Sequence, residues 1–388
     1  MSTHFPGSSQ SLPRMSFLMI TYNQERYIAE ALHSALAQDY PDLEIIVCDD
    51  VSADRTYEIA SEIAAAYRGH HRVILHRNPR NLGIAANFYQ AFTLSSGEWL
   101  FMAAGDDISL PNRCAAVADG IARFPRALAF GANYEIIDGV GRSLGYSDPK
   151  QIVGFGAVLC WRRCVFADFP PLSSELKVED YPLYTRVFAL GGTYVKLPEV
   201  ILRYRIDGHS FLGLDRDTAL KVKQFQLKLV DVYRRCFEQR LTDFEIGVKK
   251  RLITQTQALA LAARQKWYLR DLDLQYENYQ EAIRAMTCGI WEQLRYLFTG
   301  SSLQLHDHWR KRLCTVLRGQ PLLVWLKRRC FGKAANTGLP ACVPSTAAHA
   351  PCEVTTERYL ADWACDYHQT VFLSLDTASA PAPGNIQP

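Results

Sequence analysis

Apolar residues follow two rhythms along the first hundred positions. Residues 16–21 (SFLMIT), 43–48 (LEIIVC), 72–76 (RVILH) and 99–102 (WLFM) are near-continuous apolar runs of strand length. Between the first two, Ile28, Ala31, Leu32, Ala35 and Leu36 recur at helical spacing. Between the next two, Ile59, Ala60, Ile63, Ala64 and Tyr67 do the same. A loop at 77–83 (RNPRNLG) and a short helix lead to the fourth run, which small residues and Gly105 end. Strands apolar on both faces, joined by helices, predict a mostly parallel, Rossmann-like α/β sheet with helices on both faces.

After residue 107 the pattern is mixed. Residues 128–137 predict a strand running into a turn at 138–141, and 156–169 predict a short helical region. Residues 178–192 predict a helix ended by glycines, and 193–206 two short strands around Pro198. The expected organisation is a flexible 1–14, an α/β domain over 15–212, a helical extension over 216–332, and a disordered tail over 335–388. The tail is rich in Ala, Pro and Thr and has too little to bury. There is no internal repeat.

Composition narrows the partners. The net charge of the 388 residues is +3, so no whole-protein field argues for nucleic acid, and none is expected as a partner. Eleven cysteines contain no CxxC pair. The closest two, Cys160 and Cys164, are expected on one helix face, with no third ligand at metal-site spacing. That excludes a zinc ribbon and a secreted disulfide framework, and it favours reduced thiols. Residues 1–14 lack an apolar signal core, and no run reaches membrane-span length, so the expected location is cytoplasmic. Residues 309–333 carry eight Lys or Arg and no acid, interleaved with Trp and Leu. Such a segment suits peripheral contact with anionic lipid on the inner face of the membrane, or a surface helix packed on the domain.

The candidate chemistry lies at the strand ends. Thr21 to Asn23, the Asp49–Asp50 pair and the Asp106–Asp107 pair all follow strands, so a parallel sheet gathers them along one edge. Open α/β sheets bind ligands there. Adjacent carboxylates repel, and either a solvated loop or a cation between them relieves the repulsion. A polar loop explains each cluster alone but not their convergence.

The stretch MITYNQERYIAEALHSALAQDYPDLEIIVCDDVSADRT (19–56) resembles the opening of the family 2 glycosyltransferases, inverting enzymes of the GT-A fold. The resemblance continues, in order, through NLGIAANF, SSGEWLFMAAGDD, VEDYPLYTRVFALGG and VILRYRIDGHS, covering about residues 15–210. It implies that Asp50, with Asp49, contacts the nucleoside of a nucleotide-sugar donor, with Thr21 and Asn23 beside it. Asp106 and Asp107 match the family's metal-binding acidic motif, with Asp106 toward the nucleotide sugar and Asp107 the direct ligand of Mg²⁺ or Mn²⁺. Asp180, preceded by Glu179, matches the residue usually assigned as the base. Helix-start acids also favour the positive end of a helix dipole without any catalytic role.

Two positions depart from the pattern. Ile20 stands where the family often has proline. Asp207 takes the position where many relatives place a histidine near the metal, and His209 follows two residues later. His209 is the metal-ligand candidate, with a plain surface histidine as the alternative. Arg77, Arg80, Arg203 and Arg205 are open to phosphate contact or to solvation. The implied function is transfer of a sugar from a nucleotide diphosphate to a hydroxyl of a glycan or lipid-linked acceptor, in bacterial surface polysaccharide or lipopolysaccharide synthesis. One rival is a catalytically silent sugar-nucleotide binder or scaffold. Another is a nucleotidyltransferase, which wants a glycine-rich, lysine-bearing loop after the first strand; TYNQERY (21–27) has neither feature. A dehydrogenase is disfavoured because no GxGxxG follows that strand.

Overall fold

The predicted alternation is realised as β1 (Met15–Thr21), α1 (Ile28–Leu36), β2 (Leu43–Asp49), α2 (Thr56–Ala66), β3 (Arg72–Arg77), α3 (Ile84–Leu94) and β4 (Trp99–Ala104). The computed structural model describes residues 12–148, 154–173, 176, 180–206, 219–287 and 351–355. It divides into two units. The first comprises Met1–Ser210, Lys249–Ile253 and Cys342–Thr356; the second comprises Phe211–Val248, Thr254–Ala341 and Glu357–Pro388.

In the first unit, β1 lies between β2 and β4 and is parallel to both, and β3 extends the sheet beyond β2. Every position of β2 and nearly every position of β1 is buried, as strands covered on both faces require. The chain then forms β5 (Ile108–Ser109), α4 (Arg113–Arg123), β6 (Ala127–Ile137), β7 (Ser143–Tyr146), β8 (Cys160–Arg162), α5 (Cys164–Ala167), α6 (Asp180–Ala189) and β9 (Thr193–Arg205). With β10 (Cys352–Val354), the strand order is β10-β9-β6-β8-β4-β1-β2-β3. β8 and β10 run against their neighbours, whereas β6 and β9 are mutually parallel, so the sheet is mixed but mostly parallel. The winding reverses between β1 and β4, which leaves a crevice at their carboxyl ends.

Three elements differ from expectation. Residues 156–169 are not mainly helical: a single 3₁₀ turn, Gly156–Val158, precedes β8, whose Cys160 and Trp161 pair with both β4 and β6. Cys160 therefore sits on a strand and Cys164 on the short α5, both as free thiols. Pro198 does not split its segment. β9 is continuous, and its register against β6 shifts between Gly131↔Lys196 and Asn133↔Val200, since proline has no N–H to give the ladder. The Asn133 Nδ2 covers the Pro198 carbonyl at 2.8 Å. Within the stretch expected to be disordered, Cys352–Val354 pairs antiparallel with Tyr194–Lys196 of β9.

In the second unit, α7 (Ala219–Lys249) and α8 (Gln255–Thr287) are joined by an Arg234–Asp273 ion pair at 2.8 Å and an Arg240–Gln265 hydrogen bond at 3.3 Å. Among the described residues, no helix is long and apolar enough to cross a membrane. Residues 309–333 lie outside the described residues.

At the amino-terminal edge of the sheet, Glu44 is a buried carboxylate with every need met. It accepts from Ser16 Oγ at 2.7 Å, Ser96 N at 2.5 Å, Gly97 N at 3.1 Å and Ser96 Oγ at 3.1 Å. Burial on its own raises its pKa, but those donors together outweigh burial and hold the group below the ordinary glutamate value. A carboxylate depressed in the folded state adds stability above the unfolded pKa, and that stability is lost as pH falls through the folded value. Glu44→Gln should therefore cost about 1–3 kcal/mol at pH 7, by urea denaturation. The gap should close on acidification, as the wild type protonates. Equal midpoints at pH 7 would remove this role.

Candidate active site

Hydrogen bonds set the carboxyl edge. Thr21 and Asp49 are register partners, Asp50 N donates to Thr21 O at 2.9 Å, and Gly105 N donates to Ile20 O at 3.0 Å. The ends of β1, β2 and β4 are thus one continuous polar rim that carries Thr21, Asn23, Asp49, Asp50, Asp106 and Asp107.

The two acidic pairs differ in electrostatics. Asp49 is fully buried, accepts from the backbone N and hydroxyl of Ser52, and pairs with Arg77 at 3.3 Å. Asp50 accepts from Asn78 Nδ2 at 2.8 Å, Leu82 N at 2.8 Å and Gly83 N at 2.9 Å. Its carboxylate therefore folds the loop at 78–83 onto the end of β2. Asn23, in the left-handed region at φ +52°, receives Ala53 N on Oδ1 at 2.8 Å and gives its own N–H to Ser52 Oγ at 3.0 Å. These bonds zip the loops after β1 and β2 together.

Val51 stands between the carboxylates and this zipper at φ +63°, a costly region for a β-branched residue. Strain of this kind, on the order of 1–3 kcal/mol, survives only where neighbours over-determine the backbone. Here Asn81 Nδ2 holds the Asp50 carbonyl at 3.2 Å, and Arg77 Nη2 holds the Ser52 carbonyl at 2.8 Å.

Asp107 is different. It is 4% exposed, and Arg205 N donates to its Oδ1 at 2.9 Å. Its Oδ2 is buried and, among the described residues, has no hydrogen-bond partner. Burial first, and the neighbouring Asp106 charge second, push its pKa well above the ordinary aspartate value. A buried anionic oxygen without a donor fits a hard divalent cation, which prefers carboxylate oxygens. Among the described residues no third His, Cys, Asp or Glu completes a cluster, so such an ion would take further oxygens from a ligand and water. Asp207, His209 and Glu179 lie outside the described residues.

Two buried arginines, Arg205 and Arg113, hold this geometry. Arg205 is buried, not phosphate-facing. Its Nε donates to Asp106 O at 2.9 Å, Nη1 to Asp138 O at 3.0 Å and Nη2 to Glu30 Oε2 at 2.6 Å, with the guanidinium 4.5 Å over the Tyr27 ring. Arg203 is occupied too, by Glu135 at 2.8 Å and the Gly141 carbonyl at 2.7 Å. Arg113 is fully buried against the stacked Phe17 and Phe101 rings, and burial lowers its pKa to about 10. Its Nη2 joins Met102 O at 2.7 Å to Ala157 O at 2.8 Å. Next to Ala157, Gly156 N donates to Asp180 Oδ2 at 2.7 Å. One guanidinium thereby links β4 to the turn that orients Asp180. Arg113 had no sequence signal, since it stands at an ordinary helix position, whereas Arg205 was visible as a candidate phosphate contact and is instead spent on the protein's own oxygens.

The family model described as glycosyl transferase family 2 matches residues 16–163. The chain is 28% identical over 211 residues to a putative glycosyltransferase, EpsE, of Bacillus subtilis, covering 51% of this chain and 75% of that protein. It is 30% identical over 219 residues to an uncharacterized protein of Mycobacterium tuberculosis, covering 50% of this chain and 60% of the relative, so it spans about three-fifths of that protein. Among solved structures, a mannosyltransferase from Pyrobaculum calidifontis in complex with GDP-Man and Mn²⁺ aligns at TM-score 0.47 and 16% identity, over 83% of this chain and 89% of that one.

The Asp107 environment makes a stability prediction. A carboxyl whose folded pKa is raised destabilises the protein progressively as pH climbs from the unfolded value toward the folded one. Asp107→Asn keeps the shape and removes the charge. In EDTA at pH 8 it should melt a few degrees above wild type, and the difference should vanish near pH 4. A lower melting temperature at pH 8 would mean that Oδ2 has a partner within the protein.

Proposed function

We propose that the chain is a glycosyltransferase that moves a sugar with inversion from a nucleotide-diphosphate donor to a hydroxyl of a glycan or lipid-linked acceptor, a reading supported by the match of residues 16–163 to the glycosyl transferase family 2 model. The observation that carries the donor half is the buried, unpartnered Asp107 Oδ2 in the crevice between β1 and β4. In this reading Asp107, with Asp106, holds Mg²⁺ or Mn²⁺. The ion supplies positive charge against the departing diphosphate. Thr21, Asn23, Asp49 and Asp50 form the nucleoside wall, with Asp50 shaping it through the loop at 78–83 as much as by contact. His209 remains the candidate for a further metal ligand.

Asp180 is the proposed base, taking the proton from the acceptor hydroxyl as that oxygen attacks the anomeric carbon. The bond from Gly156 N fixes one carboxylate oxygen. The cellular role in this reading is assembly of bacterial surface polysaccharide or lipopolysaccharide at the cytoplasmic side of the membrane. A silent binder would keep the donor site but not need an oriented Asp180.

Asp180→Asn should bind UDP-, GDP- or dTDP-sugar in Mn²⁺ almost normally by calorimetry, while transfer to a membrane-glycan extract falls about 10²- to 10⁴-fold. Near-normal transfer would move the base elsewhere, with Glu179 the next residue to change. Asp107→Asn should instead lose the Mn²⁺-dependent part of nucleotide binding. For residues 309–333, the basic composition supports peripheral attachment: the full chain should sediment with phosphatidylglycerol vesicles at low salt and release at high salt. No binding at low salt would remove that part.

A further inference from the structure

The turn that meets Asp180 is held by more than its own bond to that carboxylate. Tyr184 lies one turn after Asp180 on α6, so the two side chains leave the same face of the helix. The Tyr184 hydroxyl donates to Gly154 O at 2.9 Å, and Gly156 N donates to Asp180 Oδ2 at 2.7 Å. One face of α6 therefore grips the peptides on both sides of Phe155. Arg113 holds Ala157 O just beyond, at 2.8 Å.

A second tyrosine backs the first. Tyr194, near the start of β9, packs edge-to-face on Tyr184 with ring centroids 5.1 Å apart, and its hydroxyl bonds the Tyr184 hydroxyl and the Gly154 backbone. Tyr184 has a single proton and spends it on Gly154 O, so the proton between the two hydroxyls comes from Tyr194. Trp161 of β8 packs on Tyr184 from another side, again at 5.1 Å. β6 makes room for the pair, because a Cβ on Gly131 would overlap the Tyr194 hydroxyl. Tyr184 is 0% and Tyr194 1% exposed, and burial pushes the pKa of both hydroxyls up, so they stay neutral donors. Phenylalanine would fill both positions without the cost of burying a hydroxyl. Here the hydroxyls are spent on one strip of backbone, the strip that bonds Asp180.

We propose that Tyr184 and Tyr194 are positioning residues for the Asp180 carboxylate, fixing the turn at 154–156 and with it the direction in which Asp180 faces the acceptor. The inference rests on the reading of Asp180 as the base and adds the pair that aims it. Both tyrosines are too deeply buried to touch a reactant themselves. A base must stay within hydrogen-bond reach of the proton it removes, and a misplacement of about 1 Å can cost on the order of 10²-fold. Tyr184→Phe keeps the ring against Trp161 and Tyr194 and releases only Gly154 O.

The test is a double-mutant cycle in the full chain. Transfer from UDP-, GDP- or dTDP-sugar to the membrane-glycan extract is measured for wild type, Tyr184→Phe, Asp180→Asn and the double variant, with kcat and donor KM separated and melting temperatures alongside. Tyr184→Phe should lower kcat about tenfold with donor KM within twofold of wild type. In the Asp180→Asn background the same change should cost less than about twofold, since the group it aims is already disabled. Tyr194→Phe, run through the same cycle, should act in the same sense by a smaller factor, and it carries the test if Tyr184→Phe does not fold. An equal loss in both backgrounds, a loss confined to donor KM, or an unchanged kcat overturns the proposal and leaves Asp180 standing as the base. Near-normal transfer by Asp180→Asn itself overturns the base reading and this inference with it.

Discussion

Arg205 brings a buried guanidinium to the end of β9 and distributes it over the Asp106 carbonyl, the Asp138 carbonyl and Glu30, while its own N–H holds Asp107 Oδ1. A buried cation and two adjacent carboxyls would each be costly alone. Together they fix the turn after β4, because the planar fork can satisfy several oxygens only in one orientation. The hairpin between β6 and β7, the first turn of α1 and the acidic turn are thereby one rigid object. The position of Asp107 relative to Thr21 follows from that object and from the β1–β4 register.

The same logic separates the two acidic pairs by task. Asp49 and Asp50 are saturated: their oxygens are occupied by Ser52, Arg77, Asn78, Leu82 and Gly83, and what they produce is loop shape. That saturation also holds Val51 in a conformation its side chain disfavours. Asp107 is half-satisfied, and what it offers is an unused acceptor. Residue type and spacing are identical in the two pairs. Only the supply of donors differs, and it comes from segments far away in sequence.

This is why the sequence was legible for elements and rim but not for roles. β1 and β2 are buried on both faces, so their continuous apolar runs carried an unambiguous signal, and the parallel order set which residues share the edge. β8 was hidden because a three-residue strand is too short to show a period, and Cys164 to Ala167 add a single helical turn beside it. Pro198 reads as a break locally, yet a register shift absorbs it, and the side chain of Asn133 satisfies the Pro198 carbonyl that the shift leaves out of the ladder. Arg113 and Arg205 look like solvated cations in sequence; their burial is a tertiary fact. Tyr184 was invisible for the opposite reason, being an aromatic residue in a buried helix where aromatic residues are ordinary.

The sheet finally shows an asymmetry with a physical direction. At its amino-terminal edge, Glu44 gathers donors from three residues, and its pKa falls despite burial. At its carboxyl edge, Asp107 is equally dry, has one donor, and its pKa rises. A carboxylate of the first kind locks strands together and leaves nothing for a ligand to gain. The second kind holds unfavourable free energy that a cation or a hydrogen-bond donor can release on binding. Thr21 Oγ1 and Gln24 Oε1, also buried without a hydrogen-bond partner among the described residues, add to the same reserve within a few ångströms of Gly105. Buried polar atoms without partners occur elsewhere among the described residues too, His71 Nδ1 beside the start of β3 among them, but at the end of β1 and β4 three oxygens share one neighbourhood, where a donor or cation would relieve them together.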